Sequence, residues 1–300
     1  MNGNLRLIHA TLPTTADLRV VVPENHPSTR NLGSERVGSG TIVDPDGFIL
    51  TVNYVVIGAE TITVTLSDGD QFHGKLVAQD FESGLALVKI QGQGLAFMRP
   101  APLEEPTPGQ AAFIVASSGE TGRRVSGGYV TSLASYDGQW EYLLEKAIHI
   151  TALNPGFGGG ALVDFRGRLI GVVSLNLNEV AKFSLAIPIE YYVRHEQELK
   201  QHGRVRSRAP RSWLGFYPQS FAGHIVIAGV IPGGPAEKCG MREGDIIIGV
   251  EKKKVRSRQE LYREIWKKRP GEHISFRILR DDDSVNLDVI SEDRWDFYRN

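Results

Sequence analysis

The stretch 16–187 alternates apolar and polar residues in short runs, and turn residues interrupt those runs at close intervals. Alternation with a period of two puts every second side chain on one face, the pattern of half-buried strands. Six runs form a first set, at 16–22, 37–44, 48–52, 61–66, 71–78 and 85–90. Two of them flank Pro45-Asp46-Gly47, where proline fixes one φ and glycine supplies a positive one, and another closes at Ser67-Asp68-Gly69. A second set follows at 111–116, 123–133, 142–150, 160–163, 169–175 and 182–187, and a polar helix is predicted over 190–201. Periodicity alone gives an all-β architecture of two sheets, in barrels or sandwiches.

Beyond residue 201 the character changes. Residues 202–212 are rich in Arg and Ser and read as a linker. Ser257-Arg258-Gln259-Glu260 is a capping-box pattern that opens a helix carrying Leu261, Ile265 and Trp266 on one face. Residues 272–278 alternate as a half-buried strand, Asp281-Asp282-Asp283 reads as a turn, and 285–289 returns as a strand. These shifts predict domains at 1–201 and 213–300 joined by a linker at 202–212.

Composition narrows the classes. A chain of 300 residues suits two domains, and 41% apolar with 23% charged residues is ordinary for a globular protein. The net charge of −1 offers no general attraction for polyanions. The basic residues Lys252, Lys253, Lys254, Arg256, Arg258, Arg263, Lys267, Lys268 and Arg269 read as a solvated face, and no nucleic acid is expected. A single cysteine, Cys239, excludes an intrachain disulfide framework. No metal-ligand spacing or phosphate loop is present, so no metal site and no cofactor are expected. No run approaches the roughly 18 apolar residues of a membrane span. The first ten residues hold no signal-peptide core, which gives a cytoplasmic expectation, or a periplasmic one if a leader has been removed.

The stretch Leu153-Asn154-Pro155-Gly156-Phe157-Gly158-Gly159-Gly160-Ala161-Leu162 resembles the nucleophile loop of the HtrA (DegP-like) family, trypsin-fold serine proteases that carry PDZ domains. There the loop runs roughly NPGNSGGPL. Phe157 stands at the family's Asn position and Gly158 at its nucleophilic Ser. Gly38 to Thr51 is similar to the approach to the catalytic base, and Tyr54 stands where that base, a His, is found. Ser83-Gly84-Leu85-Ala86-Leu87-Val88-Lys89 is similar to the motif of the catalytic carboxylate, and Gly84 takes its place. The resemblance implies a double β-barrel, a cleft wall at Phe183 to Pro188, and an oxyanion-loop remnant at Gly156, Phe157 and Gly158. Three successive glycines predict a mobile loop there.

From Trp213 onward the chain resembles the family's PDZ domains, most closely over 229–247. The resemblance places Trp213-Leu214-Gly215-Phe216 in the loop that receives a peptide's terminal carboxylate. It places the groove between the strand after Phe216 and the helix bearing Leu261 and Ile265, with Phe216 narrowing it. The fold expectation is therefore all-β dominated: a trypsin-like double β-barrel followed by a PDZ domain with one or two helices.

Serine proteolysis needs a hydroxyl, a base and a carboxylate, and Gly158, Tyr54 and Gly84 supply none of them. The expectation is a non-catalytic pseudoprotease, no enzyme, acting as a peptide-binding scaffold or regulator. Its partners would be protein C-termini or extended peptides, and an active HtrA-like protease. The resemblance further implies a homo-oligomer, typically a trimer. The alternative is an active serine-type endopeptidase-like hydrolase with a relocated catalytic set near Tyr54, His73 and His149. A third reading is a structural relic whose groove Phe216 blocks.

Overall fold

The computed structural model describes residues 3–101, 104–177 and 182–299; the first two residues of the stretch read for a leader lie outside them. The chain forms two compact units, and neither is continuous in sequence. One comprises Met1–Ser135 with Glu145–Arg206, the other Tyr136–Leu144 with Ser207–Asn300. The expected division at 1–201, 202–212 and 213–300 has no counterpart for the 136–144 segment, which groups with the C-terminal residues.

The first unit opens with helix α1 (Gly3–Thr11), which the alternation did not predict; a 3-10 turn at Leu12–Thr14 containing Pro13 ends it. Strands β1 (Thr15–Val21), β2 (Glu35–Ile42), β3 (Phe48–Val52), β4 (Thr61–Thr65), β5 (Gln71–Asp80) and β6 (Leu85–Lys89) close into a barrel in the order β1-β2-β3-β6-β5-β4. Short helices α2 (Thr29–Leu32) and α3 (Asn53–Val56) lie between them. Strands β7 (Ala111–Gly119), β8 (Gly122–Gly138), β9 (Tyr142–Ile150), β10 (Ala161–Asp164), β11 (Leu169–Asn176) and β12 (Ser184–Pro188) close a second barrel, ordered β10-β11-β12-β9-β8-β7. Alternation along these strands sends Leu18, Ile49, Val64 and Val88 into one core and Ile114, Ile148, Leu162 and Val173 into the other, all essentially without exposure. The helix expected over 190–201 is two helices, α4 (Glu190–Val193) and α5 (Glu196–His202). His195 breaks them apart, because its φ of −126° lies outside the helical range.

The second unit is built on a five-stranded antiparallel sheet of β14 (Phe216–Phe221), β15 (His224–Val230), β16 (Ile246–Val250), β17 (His273–Arg280) and β18 (Asp283–Ile290). A two-stranded sheet pairs β13 (Ser212–Trp213) with β19 (Glu292–Asp293). Helices α6 (Pro235–Lys238), α7 (Arg258–Ile265) and α8 (Arg294–Arg299) complete the unit. The β17–β18 hairpin turns on Asp281 and Asp282, whose φ of 49° and 69° fit the left-handed backbone that such two-residue turns need. Ser257 caps α7 by accepting from the Glu260 N–H at 3.2 Å. The Glu260 carboxylate accepts from the Arg256 N–H at 2.8 Å, one residue earlier than a capping box requires. Leu261 and Ile265 of α7 are fully buried, each contributing on the order of 2 kcal/mol.

Candidate functional site

Tyr54 sits on α3, directly after β3, and its hydroxyl donates to the Ser174 carbonyl at 2.6 Å. Burial pushes the phenol pKa up, so at neutral pH Tyr54 is a proton holder and no general base. Gly84 is brought beside it: the Asn53 N–H donates to the Gly84 carbonyl at 2.7 Å. A Cβ on Gly158 would lie 1.9 Å from the Tyr54 hydroxyl oxygen. The three positions that the nucleophile-loop resemblance singled out therefore do converge in the first unit, and the phenol fills the space that a side chain at 158 would need.

The glycine-rich loop is tied down, contrary to the mobility its composition predicts. The Gly158 carbonyl accepts from Ser39 N–H at 2.7 Å, and Gly159 N–H donates to the Val173 carbonyl at 2.7 Å. Phe157 N–H donates to the Ser117 carbonyl at 2.8 Å, and Ser39 Oγ donates to the Phe157 carbonyl at 2.8 Å. Barrel contacts have replaced the conformational freedom of the glycines. Gly156 N–H donates to Asn154 Oδ1 at 3.3 Å, so this N–H of the expected oxyanion-loop remnant is already engaged inside the loop.

The relocated set is not gathered in one place. His73 is exposed on β5, opposite Thr63, and Tyr54 is bonded to Ser174. His149 on β9 has a different neighbour, with its Nδ1 3.2 Å from Ser132 Oγ on β8. Burial lowers the His149 pKa, partly offset by hydrogen bonding to the Ser132 backbone; the net lowering keeps the imidazole neutral and able to accept a proton. The Phe183 ring meets it edge-on at 5.3 Å.

In the second unit the backbone N–H groups of the Leu214-Gly215-Phe216 loop point to one place. Gly215 has a φ of +78°, and this left-handed turn swings successive N–H groups toward a common centre. A carboxylate already sits there. Glu141 Oε1 accepts from Leu214 N–H at 2.9 Å, and its Oε2 accepts from Gly215 at 2.7 Å and Phe216 at 3.4 Å. Glu141 is 4% exposed. Burial pushes its pKa up to about 7, with the Arg294 charge and the three N–H groups acting the other way. Trp213, Leu214, Phe216, Leu261 and Ile265 are all buried. Trp213 packs on Phe297 at 4.5 Å and Phe216 meets Phe276 edge-on at 6.2 Å, so both rings face the interior.

Glu141 and Ser132 escaped the sequence reading. Glu141 lies in Asp137-Gly138-Gln139-Trp140-Glu141, a turn-like string in which one acid carries no signal. Its partners lie 73 to 75 residues away.

Residues 38–172 match the model of the trypsin-like peptidase domain, and residues 207–290 that of the PDZ domain. The chain is 31% identical over 284 residues to a protein of Ectopseudomonas mendocina named a probable periplasmic serine endoprotease, DegP-like. That match covers 89% of this chain and 58% of the relative. A protein of Haemophilus influenzae named a probable periplasmic serine protease, do/HhoA-like, is also 31% identical, with 84% of this chain and 57% of the relative covered. The chain thus spans somewhat over half the length of these relatives. The structure is similar to that of the HtrA-type protease AlgW with a decapeptide, at a TM-score of 0.57 and 27% identity, covering 97% and 98% of the two chains. It is similar also to AlgW with a tripeptide, at 0.58 and 26%, covering 97% of each. These names overturn the expectation of a non-enzyme, because the relatives matching most of this chain are named as proteases. They also go against the cytoplasmic expectation, since those relatives are named periplasmic.

Proposed function

The chain belongs to the HtrA family of trypsin-like peptidases with PDZ domains, and from that premise we propose that its second unit recognises the C-terminal carboxylate of peptides or proteins. The observation that carries this reading is the turn at Leu214–Phe216, whose three N–H groups hold a carboxylate. A peptide C-terminus presents the same group, and its extended backbone would pair along β14, an edge of the five-stranded sheet. The peptide-bound AlgW structures support a peptide ligand, and the names of the relatives support a periplasmic setting. The test is fluorescence anisotropy with labelled decapeptides carrying either a free C-terminal carboxylate or a C-terminal amide. The acid form binds and the amide form does not. Equal binding of the two refutes carboxylate recognition.

A second reading, serine-type hydrolysis, is favoured by the relatives' names and by one contact. Hydrolysis here has to use groups other than residues 54, 84 and 158, and Ser132 with His149 has nucleophile–base spacing at 3.2 Å. A pair without an orienting carboxylate runs about 10⁴-fold below a full triad, so covalent trapping is a better readout than turnover. A fluorophosphonate probe then labels Ser132, and Ser132→Ala abolishes the adduct. Absence of an adduct, or one at another residue, refutes this reading.

A further inference from the structure

Within the second unit, Tyr136–Leu144 lies against the loop and helix that the preceding reading assigns to peptide capture. Gln139, Trp140 and Glu141 form a three-residue turn between β8 and β9, and Glu141 holds its left-handed position with a φ of +53°. Glycine is the usual residue there, and a side chain costs about 1 kcal/mol or more. The carboxylate this places outward is the one held by Leu214, Gly215 and Phe216 N–H. Two residues on, Leu143 is 3% exposed and joins the same buried cluster as Leu214, Phe216, Leu261 and Ile265. A carboxylate in the N–H nest with an aliphatic side chain beside it in the apolar cluster reproduces the two elements of C-terminal peptide recognition.

The flanking residues are held just as specifically. Tyr262 of α7 donates its hydroxyl to the Gly138 carbonyl at 2.6 Å. Arg258 pairs with Asp137 at 2.6 Å, and Gln259 Nε2 donates to the same carboxylate at 3.2 Å. From α8, Arg294 donates to the Trp140 carbonyl at 2.5 Å and to that of Glu141 at 3.4 Å. Three polar side chains of the helix that would flank a bound peptide, Arg258, Gln259 and Tyr262, thus bond to the 136–144 segment.

We propose that Glu141 is a built-in surrogate for a peptide's C-terminal carboxylate, so that peptides bind by displacing the 136–144 segment from the nest. This rests on the reading of the Leu214–Phe216 loop as a carboxylate site and adds how that site is regulated. The charged and titratable groups facing Glu141 are Arg294 from α8 and Tyr262 from α7, and Tyr262 in turn faces Arg258 of α7 and Asp137 of the segment itself. Seated in the nest, the carboxyl titrates near pH 7; displaced into water it returns to its ordinary 4.5. The seated form therefore binds the proton more tightly, and acid favours self-occupancy. Linkage between those two values weakens peptide affinity by roughly fifty-fold between pH 7.5 and pH 5.

The experiment titrates the intact chain and its Glu141→Gln variant with the decapeptide acids and amides, at pH 5, 6, 7 and 7.5. The expected result is that Glu141→Gln, the neutral counterpart of the protonated carboxyl, binds peptide at every pH as weakly as the parent chain does at pH 5, with the acid decline seen only in the parent chain. Equal affinities with flat profiles overturn the surrogate and leave carboxylate recognition standing. No binding by either protein overturns both. If Glu141→Gln does not fold, the parent chain decides: its Gly215 amide resonance shifts with a midpoint near pH 7, and a resonance that does not titrate overturns the inference.

Discussion

Gly158→Ser returns the family hydroxyl to its place, and the structure predicts that the chain resists it. The new Cβ would fall 1.9 Å from the Tyr54 hydroxyl oxygen, 3.1 Å from the ring carbon bearing it and 3.2 Å from the Ser174 carbonyl. The phenol cannot yield freely, because its hydroxyl is bonded to Ser174 at 2.6 Å. Displacing it loses about 1 kcal/mol of net hydrogen bonding, and forcing atoms into a packed site costs about 1–3 kcal/mol. Replacing glycine returns up to about 1 kcal/mol through the unfolded chain. The net expectation is a loss of about 2 kcal/mol from the first unit. Tyr54→Phe removes the offending oxygen, so a double-mutant cycle should show coupling of about 1–2 kcal/mol. The four tryptophans, Trp140, Trp213, Trp266 and Trp295, all lie in the second unit. The first unit is therefore best followed by hydrogen exchange on peptides from β2 and β11. A cost under about 0.5 kcal/mol, or additive single mutants, would refute the wedged phenol.

Two further outcomes follow from the second unit. Burial raises Glu141 from its ordinary 4.5 to about 7, so the folded form keeps a proton that the unfolded chain has lost in that window. Its contribution is complete below pH 4.5 and fades as pH rises through 7, a change of roughly 3 kcal/mol. Urea unfolding followed by tryptophan emission should show this slope in the parent chain, and Glu141→Gln should flatten it; unchanged slopes would count against the buried carboxyl. Ser257→Ala removes the cap on α7 and should lower the same transition by about 1 kcal/mol, while an unchanged midpoint would show that the Glu260 contact to Arg256 carries the helix start.

Much of this molecule is written locally. Strands such as β3 and β6 show themselves as short, nearly continuous runs of aliphatic and β-branched residues bounded by turn residues. The positions of Tyr54, Gly84 and Gly158 could be found because their flanks keep a recognisable spacing. What escaped is non-local or marginal. Helix α1 has apolar residues at 5, 7 and 8 that fit no single face cleanly. The helix over 190–201 looked continuous because the break at His195 comes from backbone geometry, and no proline or glycine announces it. Glu141 could not be read at all, since its meaning lies wholly in N–H groups more than 70 residues away. Likewise Ser132 became notable only when pairing across the second barrel brought His149 beside it.

Among the described residues the two barrels close upon themselves and leave no strand edge, whereas the five-stranded sheet ends at β14 on one side and β18 on the other. Any self-association by strand addition, in concentrated solution or during refolding, must therefore begin in the second unit. β14 carries Pro218, which has no N–H to offer an incoming strand. β18 displays Asp283 and Asp288, but its last residue, Ile290, is more than half exposed. The same openness that suits a sheet edge to pairing with a peptide makes that edge the chain's point of exposure to its own copies, and the proline and the acids are what hold them off.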